Sequence, residues 1–186
     1  MRRASLALTL CLVGCNKPAE PTHSAPPASA AAPTKPAAAG PLAWTDPTGW
    51  KRNPPSNAMR LAEYVVPKVG SEDAPECVIN TFGAGQGGSV DANIDRWIRQ
   101  FDPGSASSVD KQSRKINGLD VTFVELSGTF KGMAMPGAPT TAKPNQRMVA
   151  AIVDHPTGPH FFKMVGPDAS VKEAKAAFVT MIESVR

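Results

Sequence analysis

The 186-residue sequence has little of what stabilises or anchors many small proteins: three cysteines, three histidines and one tyrosine. Cys11, Cys15 and Cys77 cannot form a disulfide framework, and their spacing is not that of a structural zinc site, so stability has to come from an apolar core. The apolar run over residues 4–13 falls well short of the roughly 20 residues of a membrane-spanning helix. One-sided charge is also missing where a fold is expected. The net charge is +4, but Arg2, Arg3, Lys17 and Lys35 against Glu20 supply most of it, and residues 42–186 carry 16 basic and 15 acidic side chains. Nucleic acid is therefore not an expected partner, because a near-neutral domain lacks the concentrated basic face that phosphates require. Proline is in excess, with 19 residues, roughly twice the usual share of about 5%.

The prolines concentrate near the N-terminus. Arg2 and Arg3 precede the short apolar run, which ends in Leu12-Val13-Gly14-Cys15. A basic start, an apolar stretch too short to span and a small residue before a cysteine resemble the signal peptide and lipobox of bacterial lipoproteins. The resemblance implies cleavage after residue 14, so that Cys15 becomes the first mature residue and carries a diacylglycerol and often a further acyl chain. Two or three chains, at about 0.8 kcal/mol per buried methylene, hold a protein stably at a membrane where one is marginal. Cys11 fits less well because Leu10 before it is bulky. Asn16, rather than aspartate, follows the acylated position, and by the enterobacterial sorting rule this favours the outer over the inner membrane. Of the 26 residues over 16–41, sixteen are Ala or Pro. Recurring prolines remove backbone donors and oppose helix, so the segment is expected to be a disordered tether. The organisation expected is a signal peptide over 1–14, an acylated cysteine and tether over 15–41, and one globular domain over 42–186.

The remaining 145 residues suffice for one core. Strands are expected over 59–66 and 76–82, and a helix over 89–101, where Val90, Ile94, Trp97, Ile98 and Phe101 share a face and Ser89 caps the start. Asn117-Gly118 between strand-like runs over 111–116 and 119–130 is a strong hairpin signal. A Gly- and Pro-rich loop over 131–146 leads to a second hairpin, 147–154 with 160–165. A final helix over 170–185 is expected to open with a capping box of Ser170 and Glu173 and to bury Val171, Ala174, Phe178, Met181, Ile182 and Val185. The order β-β-α-β-β-β-β-α with hairpin connections predicts an α+β fold, a mostly antiparallel sheet with two packed helices. Trp44 and Trp50, at the tether junction, are expected to close one edge of the core.

This order of elements resembles the α/β/α sandwich of the photosystem PsbP proteins and the Ran-binding Mog proteins. The glycine-rich 83–88 turn, Asn93-Ile94-Asp95-Arg96-Trp97 and Phe161-Phe162-Lys163-Met164-Val165-Gly166-Pro167 are similar to segments of uncharacterised lipoproteins of myxobacteria and planctomycetes. Neither resemblance implies a particular activity, and a fold alone does not assign one.

Gly83, Gly85 and Gly88 spell G-x-G-x-x-G between a strand and a helix, but Asp110, about 20 residues on, lies in a polar stretch and Glu125 is much farther. No nucleotide cofactor is expected; with Gly87 the segment is a candidate anion or ligand loop instead. Met133, Met135, His155 and His160 form a candidate copper set, thioethers suiting Cu(I) and imidazoles Cu(II). Cys77 sits within an apolar strand, where an inert thiol is expected, and Asp95, Glu125 and Asp154 are the carboxylates that would have to meet in a paired-carboxylate hydrolase. With no catalytic constellation evident, the expectation is a lipid-anchored, non-enzymatic envelope module that needs no cofactor, contacts the membrane through its N-terminal lipid and binds an envelope protein or component. The alternatives are a copper-binding envelope protein and a small-ligand carrier.

Overall fold

The computed structural model describes residues 40–132 and 141–186. The segments expected as signal peptide and, for nearly all of its length, as tether, together with Cys15, Met133 and Met135, lie outside the described residues. Seven strands form one fully antiparallel sheet: β1 (Lys51–Asn53), β2 (Arg60–Val65), β3 (Glu76–Thr81), β4 (Asp110–Ile116), β5 (Leu119–Phe130), β6 (Lys143–Asp154) and β7 (His160–Pro167). Helix α1 (Val90–Ile98) falls between β3 and β4, and α2 (Asp168–Glu183) follows β7. The spatial order is β1-β2-β3-β7-β6-β5-β4, which places β7 and β6 at the centre. The α+β class is as the periodicity predicts.

Three local expectations are corrected. A short first strand, β1, pairs with β2 ahead of the expected elements; at three residues it is too short to register as a pattern. Strand β6 begins at Lys143, inside the stretch expected as loop, because Lys143 pairs with Phe130 of β5 and Gln146 with Pro167 of β7. The capping box at α2 does not form. The helix starts at Asp168 after Pro167, whose fixed φ suits a helix entry. Ser170 is then inside the first turn, fully buried, and its Oγ accepts the Val69 N–H at 2.8 Å.

Alternation along the strands divides the core in two. One face of the sheet carries Ala62, Tyr64, Cys77, Ile79, Val149, Ala151, Val153, Phe162 and Met164, and α2 lies on it through Val171, Phe178, Met181 and Ile182. Residues one step along the same strands, Val124, Leu126, Met148, Ala150, Ile152 and Phe161, face the other way and meet Ile94, Trp97 and Phe101 of the α1 region. Ser89 caps α1 as expected, its Oγ accepting the Ala92 N–H at 3.2 Å. Asn117 and Gly118 form the β4–β5 turn with φ of 49° and 85°, the left-handed pair that a tight hairpin needs.

The N-terminal tryptophans close the α2-side core. Trp44 packs edge-on against Phe162 with centroids 5.4 Å apart and donates from Nε1 to the Tyr64 hydroxyl at 2.9 Å. Trp50 packs edge-on against Tyr64. Tyr64 in turn donates to Asp46, which also holds Arg52. Ala43 and Arg186 exchange both backbone hydrogen bonds at 3.0 Å, tying the start of the described domain to its end.

Candidate functional site

The two faces of the sheet are covered unequally. Helix α2 has 16 residues and α1 only nine, so among the described residues β2, β3 and part of β7 are left uncovered on the α1 side. Two open grooves of about 440 and 470 Å³ lie there, within the range of about 300–1,000 Å³ typical of small-molecule sites. They share Glu76, Val78 and Lys163 and so meet over the middle of β3 and β7. The groove beside α1 is walled by Met59, Phe82, Trp97 and Phe161, with Arg60 and Arg96 at its polar side. The other continues past Val165 and Phe130 to Lys131 and Lys143.

Lys163 occupies the junction because of strand parity. It stands between Phe161 and Val165 on the α1 side, while Phe162 and Met164 enter the core under α2. Its ammonium donates to Oε1 of Gln100, just beyond the end of α1, at 2.8 Å; Gln100 is itself buried. Burial pushes the Lys163 pKa down to about 8; Glu76 opposes that shift, while Arg96 and Arg60 add to it. The nearby Glu76 carboxylate is engaged at 3.4 Å by Arg60, which also pairs with Glu63. Arg96 donates to Oδ1 of the buried Asn93. Two cations of this groove, Lys163 and Arg96, thus rest on neutral amide oxygens, and among the described residues neither is in an ion pair. A lysine between Phe161-Phe162 and Met164-Val165, in step with Phe161 and Val165, was the sequence signal for this site.

The residues singled out from sequence fare differently. The glycine-rich segment packs against the β6–β7 turn: Gly158 has φ of +125°, and a Cβ there would lie 2.2 Å from the Gly83 carbonyl carbon. Asn93 Nδ2 donates to Gly87 O and Ser89 O at 2.7 and 2.8 Å, holding the loop to α1. Gly85, Gln86 and Gly88 do border an open groove of about 500 Å³, but the Asp154 carboxylate lines it too and disfavours an anion.

His155 and His160 are brought together, both largely buried, with ring centroids 5.5 Å apart. Their Nδ1 atoms are used within the hairpin. His160 Nδ1 lies 2.9 Å from Gly158 O, which requires it to carry the proton, whereas His155 Nδ1 accepts the Thr157 N–H at 3.3 Å. Burial lowers the His160 pKa against the Gly158 bond, and His155 lowers it further. The pair supplies two imidazoles; Met133 and Met135 lie outside the described residues. Among the described residues, no three His, Cys, Asp or Glu side chains converge in a metal-holding group.

Asp95, Glu125 and Asp154 do not meet. Glu125 projects on the α2 side, where Arg147 and Lys175 pair with it, whereas Asp154 borders the groove with Val90 and Ile152 on the α1 side. Cys77 is fully buried, and burial pushes its thiol pKa far up.

No protein-family model matches the chain, and no curated protein matches it in sequence. Among solved structures it is similar to the PA94 protein of Pseudomonas aeruginosa, of unknown function, over 76% of this chain and 84% of that one, with 10% identity and a TM-score of 0.47. It is also similar to CyanoP, the PsbP of the cyanobacterium Synechocystis, over 78% of this chain and 91% of that one, with 11% identity and a TM-score of 0.47.

Proposed function

We propose that this chain is a lipid-anchored, non-enzymatic cell-envelope module that binds its target in the groove between α1 and the β2–β3–β7 surface. The carrying observation is the joined pair of grooves centred on Lys163, where a partly buried ammonium stands among Val78, Phe161 and Trp97 with, among the described residues, Gln100 alone as its hydrogen-bond partner. A charge held at such a site costs stability that a methionine would not, which favours a binding role for it. The lipobox-like Leu12-Val13-Gly14-Cys15 and the Ala/Pro-rich segment after it support attachment through acylated Cys15, with the outer membrane favoured by Asn16.

A photo-crosslinking residue at Asn80, on the groove wall, tests the binding face in living cells, with the same residue at exposed Glu173 of α2 as the control. Adducts of defined mass at Asn80 and none at Glu173 are expected; equal yields at both positions contradict the proposal. Mass spectrometry of the natural N-terminus tests the anchor, which requires a diacylglyceryl cysteine at residue 15.

A further inference from the structure

We propose that the α1-side groove takes an organic monocarboxylate with an apolar body, its carboxylate held by Lys163 and Arg96 and its body lying along Val78, Phe82, Trp97 and Phe161. This rests on the groove being the binding face and names the chemistry of what enters it.

Charge complementarity decides between an anion and a cation. Arg60, Arg96 and Lys163 line the groove against a single carboxylate, Glu76. That carboxylate is on β3 with an exposed side chain and is engaged by Arg60 of β2. Arg96 of α1 and Lys163 of β7 are left with the amide oxygens of Asn93 and Gln100. An amide oxygen gives a cation a hydrogen bond but no compensating charge, whereas a carboxylate adds the attraction of an ion pair, which is stronger at a poorly solvated site. An incoming carboxylate meets that deficit, and a cation would meet three positive charges. Val78, Phe82, Trp97 and Phe161 favour an apolar body for the ligand, and Met59, 55% exposed at the rim, extends that surface outward, with Asn57 and Asn80 as the uncharged polar groups beside it. The adjoining groove adds Lys131 and Lys143, with Lys143 paired to Asp73 at 3.0 Å, so the continuation is not acidic either.

Protonation sets the pH dependence. Burial pushes the Lys163 pKa down to about 8 in the free protein, so affinity is flat from the ligand's own carboxyl pKa up to that pH and falls about tenfold per unit above it, until the pKa of the occupied state is reached.

The test is calorimetric titration of the full chain carrying Cys15→Ser, which is not acylated, with octanoate and with octanamide at pH 7. Octanoate is expected to bind at least about tenfold more tightly than its neutral amide. Lys163→Met is expected to remove that preference while octanamide binding persists, and the exposed Arg96→Met to reduce it. Equal affinities for the two probes, no octanoate binding, or undiminished selectivity in Lys163→Met would overturn the inference. Failure of selectivity with Asn80 crosslinks intact removes the carboxylate and leaves the groove as the binding face. Loss of the crosslinks as well removes the groove.

Discussion

The α2 side of the sheet is sealed and the α1 side is not, although the same strands build both. Under α2, Phe178, Met181 and Ile182 close over Phe162, Met164 and Ile79, all essentially inaccessible. Polar groups at that boundary are matched: Glu125 takes Arg147 and Lys175, and Asp168 takes Arg147 and Lys172. On the α1 side a nine-residue helix covers only the β5–β6–β7 part, and the floor left open among the described residues carries an ammonium that none of their carboxylates pairs with. One face is arranged for stability, and the other gives up stability at a place where something can bind.

The sharpest contrast is expected from large-to-small substitutions. Ile182→Ala, on the α2 side, should cost about 3–5 kcal/mol and Ile98→Ala, on the partly covered side, about 1–2 kcal/mol, both read from urea denaturation. Equal losses would mean that the two faces are packed alike.

Next in size is a gain. Lys163→Met should stabilise the chain by about 1–2 kcal/mol at pH 7, because a buried charge is replaced by a side chain suited to the groove floor. The sign with pH follows from the lowered pKa: between about 8 and 10.5 the unfolded chain holds more protons than the folded one. The wild type therefore gains stability as pH rises through that interval, and the advantage of methionine shrinks. A constant advantage from pH 7 to 10.5 would show that Lys163 is solvated.

On the sealed side the pH dependence runs in the acid range. Burial pushes the Glu125 carboxyl up, but hydrogen bonds from Lys175 and Arg147 outweigh it and hold the pKa below 4.5. Its contribution is present above 4.5 and is lost as pH falls through the lowered value, so Glu125→Gln should flatten that limb at a cost of about 1 kcal/mol near neutrality. His160 adds an earlier decline. Its pKa lies below 6.5 through burial, so the unfolded chain protonates first and stability drops as pH falls under 6.5. The smallest effect is expected at Cys77, fully buried with its thiol pKa raised. Iodoacetamide should leave it unlabelled in the native chain and label it fully in denaturant, with peptide mapping as the readout.

Periodicity carried most of the fold. The apolar face of α2 is buried as the spacing predicts, and Asn117-Gly118 makes its hairpin because few residue pairs accept that backbone. What escaped were features set by partners distant in sequence. Ser170 became an interior acceptor for Val69 once Pro167 fixed the helix start, and β1 exists only because Tyr64 and its neighbours offer an edge. The candidate site was half legible. His155 and His160 do adjoin, since a hairpin places them by local geometry. Lys163 lies within a motif read as strand, but its isolation from carboxylates depends on which side chains β3 and α1 bring beside it, and Glu76 and Gln100 are far from it in the chain.

The most direct test of the unequal faces is a side-chain NMR titration of Lys163 in the intact chain, followed through its ε-carbon. The expected midpoint is about 8, moving upward when octanoate is added, as an anion favours the protonated amine. A midpoint at the ordinary lysine value of 10.5, unchanged by octanoate, would contradict it.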